Sequence, residues 1–412
     1  MKKKFKKISK CRVCHSSNIK KVIDLGNQAY TGKFPKQFRE NIPITPLCVS
    51  FCVNCKFVQL SHNFNNNYMY NLDYGYESGI NQTMTKHLTG IVKKIYKIKK
   101  LSRKSVVLDI ASNDGTLLNA YKKNVTKIGI DPILNRFKKK YSTIDYSISD
   151  FFSYKNYQKT NQKKADVITA FSVFYDLNDP NKFLKDIKKC LDEKGIFIIE
   201  QSDLSSMIRL NSFDTICQEH CGYYSSKVIF YLMTKNNLKV FNHEYNEANG
   251  GSSRYYITHD DNNEIRINKK NLNNAKKIDR KSKIEQLSTF VNFNNKIKKI
   301  KKDTINKIKK ILKQGKIIHG YGASTKGNVI LQYYEINNKL IKHISDRNPF
   351  KWSRYSPGTK IKIISEEESR KIKPDYYMVL PWHFKKEILQ REIKIRKEGT
   401  KFIFPLPRYT VV

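Results

Sequence analysis

The hydrophobic pattern divides the chain into three stretches. Over residues 1–100 it consists of short apolar runs, such as Phe57-Val58-Gln59-Leu60, followed by a Tyr/Asn-rich segment from Asn63 to Tyr76. From about residue 101, apolar runs at 105–110, 127–132, 166–171 and 195–201 alternate with helical stretches, one opening after Gly115 and one through 183–191. Such alternation predicts βαβ units and a parallel sheet. Over 268–313 the period changes, with Phe290, Phe293, Ile297, Ile300, Ile308 and Ile311 recurring at helical spacing. This predicts one long amphipathic helix, whose stripe suits packing between domains and whose basic face also suits a membrane surface. After it, residues 316–328 read as strand, Gly-rich turn and helix, and apolar runs at 340–345, 375–381 and 401–407 complete a second α/β unit.

The resulting division is a small module at 1–75, an α/β domain at 76–265, a connecting helix at 266–313 and a Rossmann-like domain at 314–412. At 412 residues, with 39% hydrophobic content and 11 Pro, the chain has enough apolar surface for several cores and is not a disordered protein. The formal net charge of +43 invites a nucleic-acid reading. Against it, the excess is Lys rather than Arg and runs the length of the chain with abundant Asn and Ile. That distribution matches solvated lysines better than a selected polyanion site. No stretch approaches the roughly 20 apolar residues of a membrane span. The basic start lacks an apolar region behind it, so a cytoplasmic protein without secretory signal is expected. The eight cysteines are then thiols or metal ligands rather than disulfides.

Cys11-x-x-Cys14 and Cys52-x-x-Cys55 are two thiolate pairs of the kind that converge on tetrahedral zinc. Four protein ligands leave no open position, so the metal is expected to be structural. Residues 15–51 exceed the usual gap between such pairs and must loop out. Cys48 and His15 read as an apolar filler and a surface side chain.

In Val106-Val107-Leu108-Asp109-Ile110-Ala111-Ser112-Asn113-Asp114-Gly115 a buried strand runs into an acidic, small-residue turn that opens a helix. Ligands of doubly wound sheets bind at such turns. A phosphate cradle would carry several glycines and a Lys. Asp109, Ala111, Asn113, Asp114 and Gly115 instead suit the sulfonium-bearing amino acid of S-adenosylmethionine. Asp131 ends the next strand, where a carboxylate accepts from ribose hydroxyls. Asp150 closes the third strand, within reach of an adenine amino group.

With these motifs go Pro46-Leu47, Val58-Gln59-Leu60, Glu219-His220-x-x-Tyr223-Tyr224-Ser225, Asn249-Gly250-Gly251-Ser252, Gly320-Tyr-Gly-Ala-Ser-Thr-Lys326-Gly-Asn328, Pro357-Gly358-Thr359 and Leu380-Pro381-Trp382-His383-Phe384. Together they resemble the zinc-containing, three-domain C-methyltransferases acting on nucleotide-linked 4-keto-6-deoxysugars, over nearly the whole chain. The resemblance implies an N-terminal zinc domain, a central class I methyltransferase sheet and a C-terminal Rossmann-like domain that helps hold the nucleotide sugar. It implies catalytic roles for Glu219, His220 and, within Tyr74-Gly75-Tyr76, Tyr76. Tyr224, Asn249, Ser324, Lys326 and Asn328 are its substrate contacts, with the Gly320–Lys326 turn presenting N–H groups, hydroxyls and a cation to a diphosphate. Cys217 and Gln218 depart from the Tyr-His pair of antibiotic-sugar members. Residues 174–218, including Phe174-Tyr175-Asp176-Leu177, resemble a subgroup of unassigned substrate.

A carbon beside a ketone becomes nucleophilic once it loses a proton. His220, with a reference pKa near 6.5, is the expected base. Glu219 would orient the site, and Tyr76 would donate to the developing oxyanion. Two rivals stand: methyl transfer to oxygen or nitrogen of a small metabolite, and a zinc-knuckle RNA-binding methyltransferase.

Overall fold

The computed structural model describes residues 5–71 and 73–412. β1 (Phe5–Lys7) starts an N-terminal module in which β2 (Ile19–Ala29), β3 (Ile44–Cys52) and β4 (Val58–Leu60) form an antiparallel sheet, and β5 (His62–Phe64) returns to pair with β1. The segment 15–51 that must loop out is mostly this β2–β3 pair.

The central sheet begins with β6 (Val106–Ile110), β7 (Thr126–Ile130), β8 (Tyr146–Ile148), β9 (Ala165–Phe171) and β10 (Leu191–Ser202), all parallel. β6 is buried at every position, as a parallel strand covered on both faces requires. The chain then leaves this sheet: β11 (Gly222–Tyr223) pairs with β4 of the N-terminal module. It returns as β12 (Leu238–Asn246) and β13 (Ser252–His259), and the order is β8-β7-β6-β9-β10-β13-β12 with β13 antiparallel to both neighbours. This is the class I methyltransferase sheet. The excursion to β11 carries residues 217–221 across to the N-terminal module, and it positions the site.

The expected single helix over 266–313 is two helices, Lys269–Lys281 and Leu287–Lys313. The break falls at Lys283, whose φ of 51° lies in the left-handed region and cannot continue a helix. The first helix packs on β12 and on helix Ser226–Lys235, and the second on β2. Phe290 meets Phe51 at 5.4 Å between ring centroids. The apolar stripe is therefore buried between domains, not free for a membrane, and among the described residues no helix is long and apolar enough to span one.

The C-terminal domain comprises β14 (Ile318–Tyr321), β15 (His343–Asp346), β16 (Lys362–Ser365), β17 (Tyr376–Val379), β18 (Lys401–Phe404) and β19 (Thr410–Val411), in the order β16-β15-β14-β17-β18-β19 and parallel except at β19. One apolar cluster runs from the N-terminal sheet through helix Leu287–Lys313 into this domain, so the two ends of the chain share a core. In both α/β sheets the first strand lies between strands reached in opposite directions. Each thus has a switch-point crevice at its strand ends, and the two crevices open onto one cleft.

Candidate active site

The four sulfurs of Cys11, Cys14, Cys52 and Cys55 lie within 4.8 Å of one another, with Cys11–Cys55 at 3.5 Å and Cys14–Cys52 at 3.6 Å. Bonds of about 2.3 Å to a tetrahedral zinc put sulfurs roughly 3.8 Å apart, so the set fits the ion. The two knuckles repeat one backbone device. His15 N–H donates to Cys11 O and Lys56 N–H to Cys52 O, and both His15 and Lys56 take positive φ. His15 and Cys48 stay outside the sulfur cluster.

The cleft has a volume of about 510 Å³, within the range of small-molecule sites. On its methyltransferase side lie Ala111, Asn113 and Asp131 with Phe151, Phe152 and Ser172. Asn113 N–H donates to Asp131 Oδ2 at 2.9 Å and Ile133 N–H to Oδ1 at 2.7 Å, which fixes the carboxylate while leaving each oxygen a lone pair for a ribose hydroxyl. The Asn113 side chain is occupied: its Oδ1 accepts from Ser78 N–H and its Nδ2 donates to Tyr76 O, tying the Tyr-rich approach segment to the turn. Asp109 and Asp114 stand behind this wall. Asp109 accepts from Thr169 Oγ1 at 2.6 Å, and burial pushes its carboxyl up to about 7. Asp114 takes Gly79 N–H, Thr116 Oγ1 and Lys140 Nζ. Gly115 begins helix Thr116–Asn119 with a φ of 74°. Asp150 is exposed, caps Phe151 N–H and accepts from Asn156, next to the Phe151 and Phe152 rings in the cleft.

Opposite the cofactor crevice lies the 217–221 segment. Gln218 anchors it to the N-terminal module: its amide donates to Gln28 O, Ala29 O and Thr45 Oγ1 and accepts from Thr31 N–H and Oγ1. That anchor aims Glu219 and His220 into the cleft. A β-carbon at Gly32 would meet Glu219 Oε1, so the β2–β3 loop packs directly against the carboxylate. Among the described residues no hydrogen bond reaches the Glu219 side chain, and burial raises it to about 7 against the pull of Lys33. His220 donates from Nδ1 to Thr215 O at 2.6 Å, which leaves Nε2 as an acceptor. Its ring packs on Tyr175 with centroids 4.3 Å apart. Burial and the charge of Lys326 drive it down to about 3. Donor atoms of Cys217, Glu219 and His220 also lie within 4.8 Å of one another.

From the C-terminal domain come Ser324, Thr325, Lys326, Pro381 and His383. Ser324 Oγ caps helix Thr325–Tyr333 by accepting from Gly327 N–H. Lys326 Nζ donates to Asn249 O at 3.0 Å, joining this domain to the turn between β12 and β13, and burial lowers its pKa. Tyr76 sits at the mouth, 47% exposed.

Family profiles match in tandem: a zinc binding domain over 11–70, a methyltransferase domain over 64–243 and a C-methyltransferase C-terminal domain over 247–407. The chain is 23% identical over 411 residues to the C-methyltransferase NovU of Streptomyces niveus, covering 98% of this chain and 97% of that one. The chain is a methyltransferase with the zinc binding, methyltransferase and C-methyltransferase C-terminal domains in tandem. Solved structures similar to part of it include an S-adenosylmethionine-dependent methyltransferase from Clostridium acetobutylicum, 13% identical over 42% of this chain and 92% of that one with a TM-score of 0.35. Another is a protein from Pyrococcus horikoshii, 13% identical over 45% of this chain and 94% of that one, with a TM-score of 0.35.

In this methyltransferase, S-adenosylmethionine is the cofactor and zinc the structural metal. Of the residues expected from sequence, Ala111, Asn113, Asp131, Tyr76, Glu219, His220, Asn249, Ser324 and Lys326 line the one cleft. Two expected substrate contacts do not. Tyr224 is buried between Phe57 and Phe174, at centroid distances of 4.7 and 5.3 Å. Asn328 is fully buried and spends its amide on Thr31 O, clamping the C-terminal domain to the N-terminal module. Sequence reading missed Tyr70, Tyr175 and Asp176, which also line the cleft. Tyr70 lay within the Tyr/Asn-rich segment 63–76, and Tyr175 and Asp176 within the stretch 174–218 that resembles the subgroup of unassigned substrate.

Proposed function

We propose that the enzyme transfers a methyl group to the carbon beside the carbonyl of a nucleotide-linked keto-deoxysugar. The observation that carries this reading is Glu219: a buried carboxyl with no hydrogen-bond partner among the described residues, between the cofactor turn and the C-terminal crevice. Removing a proton, from carbon as from a heteroatom, needs a base whose pKa lies near the working pH, and the full-length likeness to a C-methyltransferase favours carbon. Glu219 has such a pKa. His220, at about 3, is too weak a base, so burial exchanges the roles expected from sequence. Glu219 takes the proton, and His220 Nε2 accepts a hydrogen bond from a hydroxyl of the acceptor.

When bound, S-adenosylmethionine supplies an electrophilic methyl. Asp131 is placed for its ribose, and Phe151 and Phe152 for its adenine. On the other side Ser324 and Lys326 lie at a helix N-terminus, a suitable seat for the diphosphate. Tyr76, 47% exposed at the mouth, shields the acceptor instead of donating to the oxyanion, the role expected of it from sequence.

The test is methyl transfer from labelled S-adenosylmethionine to a panel of nucleotide-linked 4-keto-6-deoxysugars, with wild type, Glu219→Gln and His220→Asn compared. Label in carbon of one sugar, and its loss in Glu219→Gln with cofactor binding intact, supports the reading. Label on oxygen or nitrogen, or none with any keto-sugar, overturns it.

A further inference from the structure

Asp176 has no role in the chemistry described so far, yet it shares the cleft with Glu219 and His220. It lies in the turn Phe174–Asp176 that follows β9, so it faces the cleft from the methyltransferase side. Its two oxygens are treated differently. Oδ2 accepts from the hydroxyl of Tyr70, at 2.9 Å, across from the N-terminal segment. Oδ1 is buried and has no hydrogen-bond partner among the described residues. A buried polar atom left unpaired is costly and rare, and at a ligand cleft it marks where a ligand atom belongs.

We propose that Asp176, oriented by Tyr70, is the hydrogen-bond donor to the carbonyl oxygen of the acceptor and stabilises the oxyanion that forms there. The inference rests on the C-methylation reading and adds to it the group that receives the charge. Tyr70 fixes which oxygen bears the proton: Oδ2 already accepts one, so the acidic hydrogen sits on Oδ1, the oxygen left without a partner among the described residues. The electrostatics agree. Burial, reinforced by the nearby Glu219 carboxylate, holds Asp176 well above the usual carboxylate range, opposed only in part by Tyr70. A carboxylic acid kept neutral in this way can serve as an oxyanion donor.

The step balances. The Glu219 carboxylate removes the proton from the carbon beside the carbonyl. The C–H electrons form a carbon–carbon double bond, and the carbonyl π electrons move to oxygen, where Asp176 Oδ1–H donates. The enolate carbon then bonds to the methyl group, the carbon–sulfur bond breaks with its electrons going to sulfur, and the carbonyl reforms. Asp176 keeps its proton throughout, and the abstracted one leaves from Glu219 to solvent.

The experiment follows exchange of the acceptor's α-proton with solvent deuterium by NMR, using a nucleoside diphosphate-linked 4-keto-6-deoxyhexose. It is run on the full chain without S-adenosylmethionine. Thermal unfolding and S-adenosylmethionine binding check that each variant is folded. Asp176→Ala should slow exchange about 10²- to 10³-fold, the usual loss for one oxyanion donor. Asp176→Asn, which still offers an N–H, should recover most of that loss, and Tyr70→Phe should cost about tenfold. Asp176→Ala exchanging as fast as wild type overturns the inference while leaving the C-methylation reading intact. Asp176→Asn as slow as Asp176→Ala also overturns it, since Asp176 would then act as a carboxylate. Wild type that exchanges no α-proton overturns the C-methylation reading itself, and the donor role falls with it.

Discussion

Burial separates two neighbouring residues that could each serve as the base of the proposed reaction. Glu219 and His220 are neighbours in sequence, and by reference pKa the histidine is the base. Inside the cleft both lose solvent, which penalises the charged form of each: the acid rises to about 7 and the imidazole falls to about 3. Glu219 is deprotonated above its pKa, so kcat/KM should rise with pH through about 7 and then level. Glu219→Gln should abolish that limb and cost 10²- to 10⁴-fold in rate, the range for a general base. Among the described residues Lys33 is the charge that pulls Glu219 down. Lys33→Met should therefore shift the limb to higher pH, and a pH–rate profile of the two enzymes measures it. An unmoved limb in Lys33→Met would assign the titration to another group.

At the level of elements, what the chain's pattern made legible was local. The β6 turn, the acid ending β7 and the paired cysteines are each contained in a few consecutive residues whose spacing follows from strand, turn and knuckle geometry. What was hidden depends on long-range meeting. Tyr70 and Asp176 touch only because the approach segment folds over the β9 end. Gln218 looked like a departure from a motif, while its function is to bind β2 and β3. The two-residue strand β11 is too short to announce itself in any periodicity, yet it turns residues 217–221 away from the central sheet. The break at Lys283 was equally silent, because a lysine in the left-handed region leaves no mark in an apolar stripe. These anchors make a prediction of their own. Gln218→Leu removes a fully buried amide and leaves the groups it bonded unsatisfied, at about 1–3 kcal/mol. Denaturant unfolding should register that loss. Methyl transfer should fall with S-adenosylmethionine affinity unchanged, because the displaced segment carries Glu219 and not the cofactor turn. Equal loss of cofactor binding would show that Gln218 supports the whole fold instead.

Across the molecule, the site is assembled by three domains and belongs to none of them. The N-terminal module supplies Gly32, Lys33 and the strand that receives β11; the central sheet supplies the cofactor crevice; the C-terminal domain supplies Lys326 and His383. The zinc knuckles pack against the central domain, where Asn181 and Lys235 donate to Val13 O, and four thiolates leave the ion no open position, so it acts on the chemistry only through the fold. Its binding energy is folding energy for the knuckles. Cys11 and Cys52 belong to the same apolar cluster as Phe57 and Tyr224, and that cluster continues into the core of the methyltransferase sheet. Loss of zinc should then propagate along β4 to β11 and loosen the segment bearing Glu219 and His220. Chelation of the purified enzyme should lower its melting temperature and abolish methyl transfer while S-adenosylmethionine still binds, since the β6 turn and Asp131 are held by the central sheet. Restoring zinc before aggregation should restore both. Full activity in protein shown by elemental analysis to be zinc-free would mean that the β4–β11 pairing holds the catalytic segment without the knuckles, and that the metal serves the N-terminal end alone.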